Sequence, residues 1–87
     1  MDDYPFPLYM WRIDNSNWRF QTDRKEIAHK LKRRKGFREI TLASHPPLWI
    51  FDKSFERKDR ALRCLESLTG SIAKWDEAKE IFYAEVK

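Results

Sequence analysis

The sequence predicts a small α+β domain, and three patterns along the chain carry that prediction. Short runs in which apolar and polar residues alternate are typical of strands, and clusters of turn-forming residues separate them. Two longer stretches place apolar residues at helical spacing, and each ends at one of the two glycines. The order β-β-α-β-β-α-α then favours an antiparallel sheet of about four strands with the helices packed on one face.

Length and composition indicate one globular domain, residues 1–87. A hydrophobic content of 41% beside 37% charged residues is globular and not disordered. The sequence has no run of about 18 apolar residues, so no transmembrane helix is expected, and the acidic N-terminus does not resemble a signal peptide. The single cysteine fits a reducing, cytoplasmic compartment.

The first part of the chain predicts a β-hairpin. Two prolines make residues 1–7 an irregular lead-in. Residues 8–13 and 18–22 alternate as strands do, and the turn formers of residues 14–17 join them.

Residues 23–35 predict an amphipathic helix with a signal at each end. Asp23 is a good N-cap, and Glu26 completes a capping box. Ile27, Ala28 and Leu31 form a narrow apolar stripe. Gly36 then suits the left-handed residue that ends many helices.

The second part of the chain predicts two more strands and a second helix. Residues 37–42 and 48–51 have strand character, the loop 43–47 joins them, and residues 52–54 interrupt the second strand. A helix follows from about Phe55 or Asp59 to Thr69. Residues 72–86 have apolar residues at helical spacing and predict a third helix, although residues 80–86 also alternate well enough for an edge strand.

The predicted core takes apolar residues from every element. Its members are Trp11, Ile13, Phe20, Ile27, Leu31, Ile40, Trp49, Phe51, Leu65, Leu68 and Phe82.

The positive charge of the chain is concentrated in the middle. Of a formal net charge of +4, the stretch from Arg24 to Arg38 carries +7, from eight Lys or Arg and one Glu. Clustered cations are the electrostatic footprint of a surface that binds phosphates. The predicted nucleic-acid-binding residues are Lys25, His29, Lys30, Lys32, Arg33, Arg34, Lys35 and Arg38.

Trp18 and Phe20 lie on the strand that precedes this helix. If they faced outward, they would stack on unpaired bases. Aromatic residues that alternate along a strand beside a helix are more often core, so this expectation depends on their exposure.

Other interpretations of the basic helix stay open. A cationic helix face is often only solvated. The same face would also suit a protein-binding adaptor or inhibitor that docks on an acidic or nucleic-acid-binding surface of a larger protein. Membrane-surface binding is disfavoured, because the apolar stripe is too narrow to enter lipid and also pack a core. The expected partner is therefore nucleic acid, DNA or RNA, or an acidic protein surface, with the chain itself a monomer or weak homodimer.

Catalytic and metal chemistry are not expected. Cys64, His29 and His45 do not lie at ligand spacing, so neither a metal nor a cofactor is predicted. Cys64 falls on the apolar stripe of the second helix, where a thiol packs as a small hydrophobe. His45 has only Asp52 as a nearby acid. The sequence thus favours a non-catalytic binding protein.

Overall fold

A computed structural model of the chain describes residues 8–40 and 48–85. They form an α+β fold of two helices and one antiparallel sheet of six strands, in the spatial order β3-β4-β2-β1-β6-β5. The elements are β1 (Leu8–Arg12), β2 (Asn17–Thr22), α1 (Lys25–Arg33), β3 (Arg38–Glu39), β4 (Trp49–Ser54), α2 (Lys58–Thr69), β5 (Lys74–Asp76) and β6 (Ile81–Ala84). The fold class is confirmed, but the predicted strand number and element order are partly wrong. The lead-in of residues 1–7 and the loop 43–47 lie outside the described residues.

The predicted hairpin is present and occupies the middle of the sheet as β1 and β2. Its turn is organised by Asp14, whose carboxylate accepts hydrogen bonds from the side-chain amide of Asn17 and from the backbone N–H groups of Ser16 and Asn17. The same bonds, that of the Asn17 side chain foremost, hold the pKa of Asp14 below its ordinary value. The turn formers thus set the hairpin, and both strands end within one residue of their predicted positions.

Both helices pack on the same face of the sheet, which we call the helix-covered face. Its core joins Met10, Phe20 and Phe51 of the strands to Leu31 of α1 and Leu65 of α2, and each of these is at most 1% exposed. Ile27 and Leu68 belong to the same cluster, as predicted. Phe82 and Trp49 are partly buried against it.

The prediction of which β1 residues face the core is wrong. Trp11 and Ile13 were placed in the core, but Leu8 and Met10 fill it, while Trp11 is half-buried and Ile13 is 40% exposed. Both sides of this strand are apolar, so alternation alone does not choose between them. Ile40 is likewise only half-buried.

The predicted third helix is also wrong, because residues 74–84 form a second hairpin, β5–β6. The alternative of a strand within residues 80–86 is correct, although β6 lies between β1 and β5 and not at the edge of the sheet. The carboxylate of Asp76 accepts hydrogen bonds from the N–H groups of Ala78 and Lys79 and turns the chain. Glu80 closes this turn with a φ of +57°. The aspartate therefore outweighs the helical spacing of the apolar residues around it.

Strand β4 continues through Asp52, Lys53 and Ser54, where the sequence predicted a break. Each of these polar residues finds a partner elsewhere in the fold. Asp52 pairs with Arg19, Lys53 donates to the carbonyl of Lys35, and Ser54 donates to the side chain of Asn17. Strand β3 is shorter than the predicted run 37–42, and residues 41–42 lie outside the described part of the chain.

Helix α1 begins later than predicted and without the capping box. Its N-cap position is Arg24, which makes no side-chain cap hydrogen bond, and the Thr22 hydroxyl accepts the Arg24 N–H at 3.0 Å. At the other end α1 stops at Arg33 with an extended Arg34 at the C-cap, so Gly36 does not end the helix as predicted, although it is left-handed with φ at +89°. Gly70, by contrast, is the left-handed C-cap of α2, with φ at +78°.

Candidate nucleic-acid interface

Helix α1 packs its apolar stripe into the core, so its cations face solvent. Ile27, Ala28 and Leu31 are buried, whereas the other residues of the helix are exposed. The structure therefore provides a cationic outer surface on α1, and the question is which cations it brings together.

The cations of α1 divide between two sides. On the side facing α2, Lys30 Nζ lies 3.4 Å from the carbonyl oxygen of Leu68, and the Arg34 guanidinium donates to Ser67 Oγ at 2.8 Å. On the other side, Lys32 Nζ lies 4.0 Å from a carboxylate oxygen of Glu39. Among the described residues, that marginal contact is the one ion pair made by the predicted binding set. Its charge is therefore largely unneutralised by the described carboxylates.

Arg38 does not share a surface with α1. It lies opposite Asp52 in the β3–β4 register, and Asp52 in turn lies opposite Arg19 on β2. That row alternates with the row of Phe51 and Phe20, which faces the helices, so Arg38 lies on the opposite face of the sheet. The remaining predicted cations, Lys25, His29, Arg33 and Lys35, are exposed on α1 or just after it.

The condition for base stacking by Trp18 and Phe20 is not met. Trp18 is 2% exposed and Phe20 is fully buried. Phe20 packs against Phe37 with ring centroids 5.0 Å apart, and Trp18 lies under the Arg12 guanidinium. These two rings are part of the core, and neither offers a free face to a ligand.

A cleft of about 730 Å³ opens where the end of α1 meets α2 and β4. Five of the residues that line it are cationic and one is acidic, Glu56. The cations are Arg34, Lys35, Lys53, Arg60 and Arg63. We call this the basic cleft.

Lys53 forms part of the basic cleft and is held in place from three sides. Its Nζ donates to the carbonyl of Lys35 at 3.0 Å. The same nitrogen lies 5.5 Å from the ring centroid of Phe37 and 5.3 Å from that of Phe55. These cation–π contacts orient the ammonium group without cancelling its charge.

Cys64 also lines the basic cleft; it is half-buried and packs against the core, so the predicted apolar packing of its thiol is present in part. Its Sγ lies 3.9 Å from Arg34 Nη1. Burial raises the pKa of the Cys64 thiol, and the positive charges of Arg34 and Lys53 oppose that rise in part. The thiol is thus kept protonated despite its cationic neighbours.

Arg60 and Arg63 were missed by the sequence analysis, which took all the binding cations from residues 25–38. The signal was present, since these two residues and Ser67 recur at i, i+3 and i+7 on the side of α2 that carries no core residue. What the sequence did not reveal is that this side of α2 faces the end of α1.

Comparison of the chain with models of protein families, with curated proteins and with solved structures gave no match. Within residues 8–40 and 48–85, no cluster of three or more His, Cys, Asp or Glu side chains is arranged to hold a metal ion. Neither described helix is both long and apolar enough to cross a bilayer.

Proposed function

We propose that this protein is a non-catalytic, cytoplasmic nucleic-acid-binding protein whose phosphate contacts centre on the basic cleft. The observation that supports this most is the set of five cations around one cavity of about 730 Å³ with a single acid among its lining residues. Such a concentration of unneutralised charge attracts a polyanion and releases its counterions on binding.

Within this proposal the cations have different roles. Arg34, Arg60 and Arg63 carry planar guanidinium groups that hydrogen-bond phosphate oxygens in pairs. Lys30 and Lys35 extend the positive surface along the end of α1. Arg38 takes no part, because it lies on the other face of the sheet.

The test is a salt titration of binding to short labelled DNA and RNA oligonucleotides, single- and double-stranded, followed by fluorescence anisotropy. Each phosphate contact contributes about −0.7 to −0.9 to the slope of log K against log salt concentration. The double variant Arg60→Ala/Arg63→Ala is expected to weaken binding and to reduce the magnitude of that slope by about 1.4 to 1.8.

The matched control is Arg24→Ala/Arg38→Ala, which removes the same formal charge away from the basic cleft. It is expected to retain nearly the wild-type slope. Equal losses in the two double variants would contradict a local site. If the wild type binds no oligonucleotide at low salt, the proposal fails, and an acidic surface on a protein partner becomes the better explanation of the basic cleft.

A further inference from the structure

A second cleft, of about 450 Å³, lies on the helix-covered face near the first turn of α2. It contains the aromatic rings of Trp18, Trp75 and Phe82 together with the charged side chains of Arg12, Lys58 and Glu80. We call it the aromatic cleft. Trp11 also lines it, so four of its seven lining residues are aromatic, whereas most of the charged residues around the basic cleft are cations.

Trp75 is the unusual member of the aromatic cleft. It lies on the short edge strand β5 directly opposite Phe82, and the two ring centroids are 4.7 Å apart. Phe82 thus supports one side of the indole, yet Trp75 remains 49% exposed. A tryptophan held in place and left half open to solvent is a surface on which another flat ring can stack.

Two cations accompany the rings. Lys58 Nζ lies 5.3 Å from the centroid of Phe82, and the Arg12 guanidinium carbon lies 5.0 Å from that of Trp18. Neither makes an ion pair with a carboxylate in the described part of the chain. Glu80 is the opposing charge, so the residues of the cleft carry a net positive charge.

Helix α2 connects the aromatic cleft to the basic cleft. Lys58 lines the first, whereas Arg60 and Arg63 line the second. At a rise of about 1.5 Å per residue, Lys58 and Arg63 are roughly 7.5 Å apart along the helix axis, but at 3.6 residues per turn they are also about 140° apart around it. The two clefts therefore open on different sides of α2, and the aromatic cleft is a separate contact site.

We propose that the aromatic cleft stacks an unpaired base on Trp75, so that the nucleic acid bound by this protein is single-stranded. The inference rests on the proposed nucleic-acid binding and names the form of its ligand. A base in a duplex is already stacked and paired, whereas an unpaired base is free to enter a cleft of rings while neighbouring cations hold its phosphate.

The experiment uses the full chain and three labelled oligonucleotides of equal length: a mixed-sequence single strand, a single strand with abasic residues at its central positions, and a duplex. The wild type is expected to bind the intact single strand most tightly. Trp75→Ala should weaken that binding about 5- to 150-fold, the effect of losing one stacked base. It should leave binding to the abasic strand and the slope against salt concentration unchanged.

Two further variants control for folding and for exposed apolar surface. Trp75→Phe keeps a ring at the site and is expected to retain part of the preference for intact bases. Ile72→Ala removes an apolar side chain that is 75% exposed and does not line the aromatic cleft, so it should bind like the wild type.

The outcomes separate the two proposals. Salt-dependent binding that is the same for Trp75→Ala and the wild type, or equally tight binding of the abasic strand or the duplex, overturns base stacking and leaves the proposed function standing. Absence of salt-dependent binding to all three oligonucleotides overturns both.

Discussion

At the scale of single residues, a bidentate ion pair joins β2 and β4 on the face of the sheet away from the helices. Arg19 Nε lies 2.8 Å from one carboxylate oxygen of Asp52, and Arg19 Nη2 lies 3.1 Å from the other. Asp52 is only 8% exposed, and its hydrogen bonds raise the pKa of Arg19. This pair explains how an aspartate remains inside a strand.

We expect Asp52→Asn to lower the free energy of unfolding by about 1 to 2 kcal/mol, because the amide keeps only one acceptor for Arg19, places an NH2 donor opposite the other N–H, and leaves a partly buried guanidinium without its counterion. Urea denaturation measures the change. Arg57→Gln is the control, since it breaks an exposed pair with Asp59 whose 3.1 Å contact contributes about 0 to 1 kcal/mol. Equal losses in both variants would show that burial of the Arg19–Asp52 pair is unimportant.

At the scale of secondary-structure elements, the helix ends show what local sequence signals determine. Both glycines were predicted as helix terminators and both are left-handed, but Gly70 caps α2 whereas α1 already ends at Arg33, before Gly36. The capping box of Asp23 and Glu26 was predicted from an equally familiar signal, but it does not form: the N-cap position falls at Arg24, and the carboxylate of Asp23 lies 3.4 Å from Arg24 Nε instead. A glycine terminator depends on one backbone conformation, whereas a side-chain cap competes with neighbouring acceptors.

The two glycines differ in their surroundings, which gives a matched pair of substitutions. A Cβ at Gly36 would collide with the Nζ of Lys53, the group that donates to Lys35, whereas Gly70 is an exposed residue at the C-cap of α2. Each Gly→Ala change costs about 1 to 2 kcal/mol for the left-handed conformation. Gly36→Ala is expected to cost more, because Lys53 must also move.

Thermal and urea unfolding of the two variants would measure that difference. A larger loss for Gly70→Ala would contradict it. Since Lys53 lines the basic cleft, Gly36→Ala is also expected to alter oligonucleotide binding, while Gly70→Ala should not.

Residues 72–86 show where element prediction failed and why. Trp75, Ile81 and Phe82 have helical spacing. The carboxylate of Asp76, however, accepts hydrogen bonds from the N–H groups of Ala78 and Lys79 and so forms a turn. The second hairpin then gains hydrogen-bonded neighbours, since β6 pairs with β1 in the middle of the sheet. Helical spacing along the sequence shows which residues are apolar. It does not show that β1 has a free edge with which another strand can form hydrogen bonds.

At the scale of the whole molecule, the basic cleft combines parts of the chain that are far apart in sequence. Arg34 and Lys35 follow α1, Lys53 belongs to β4, and Arg60 and Arg63 belong to α2. The charge concentration in residues 24–38 was visible in the sequence, and its cations make few ion pairs among the described residues. The cleft itself depends on how α1 and α2 pack, and that packing is set by the shared apolar core and not by the charges.

Cys64 offers a direct test of whether a ligand occupies the basic cleft, because it is the only cysteine in the sequence. Since burial raises its pKa, alkylation by iodoacetamide should be slower at neutral pH than for an exposed cysteine, and its rate should keep rising above the pH at which a free thiol is half ionised. A saturating single-stranded oligonucleotide should slow the reaction further at low salt. High salt should restore the rate, because it dissociates the phosphate contacts.

Two controls make the Cys64 measurement decisive. Urea-unfolded protein should react at the rate of a free cysteine, with or without oligonucleotide. Arg60→Ala/Arg63→Ala should lose most of the protection at an oligonucleotide concentration that saturates the wild type. If anisotropy shows a bound oligonucleotide while the alkylation rate of the wild type is unchanged, the ligand lies elsewhere on the molecule, because a strand held by Arg34 would cover a thiol whose Sγ is 3.9 Å from that guanidinium.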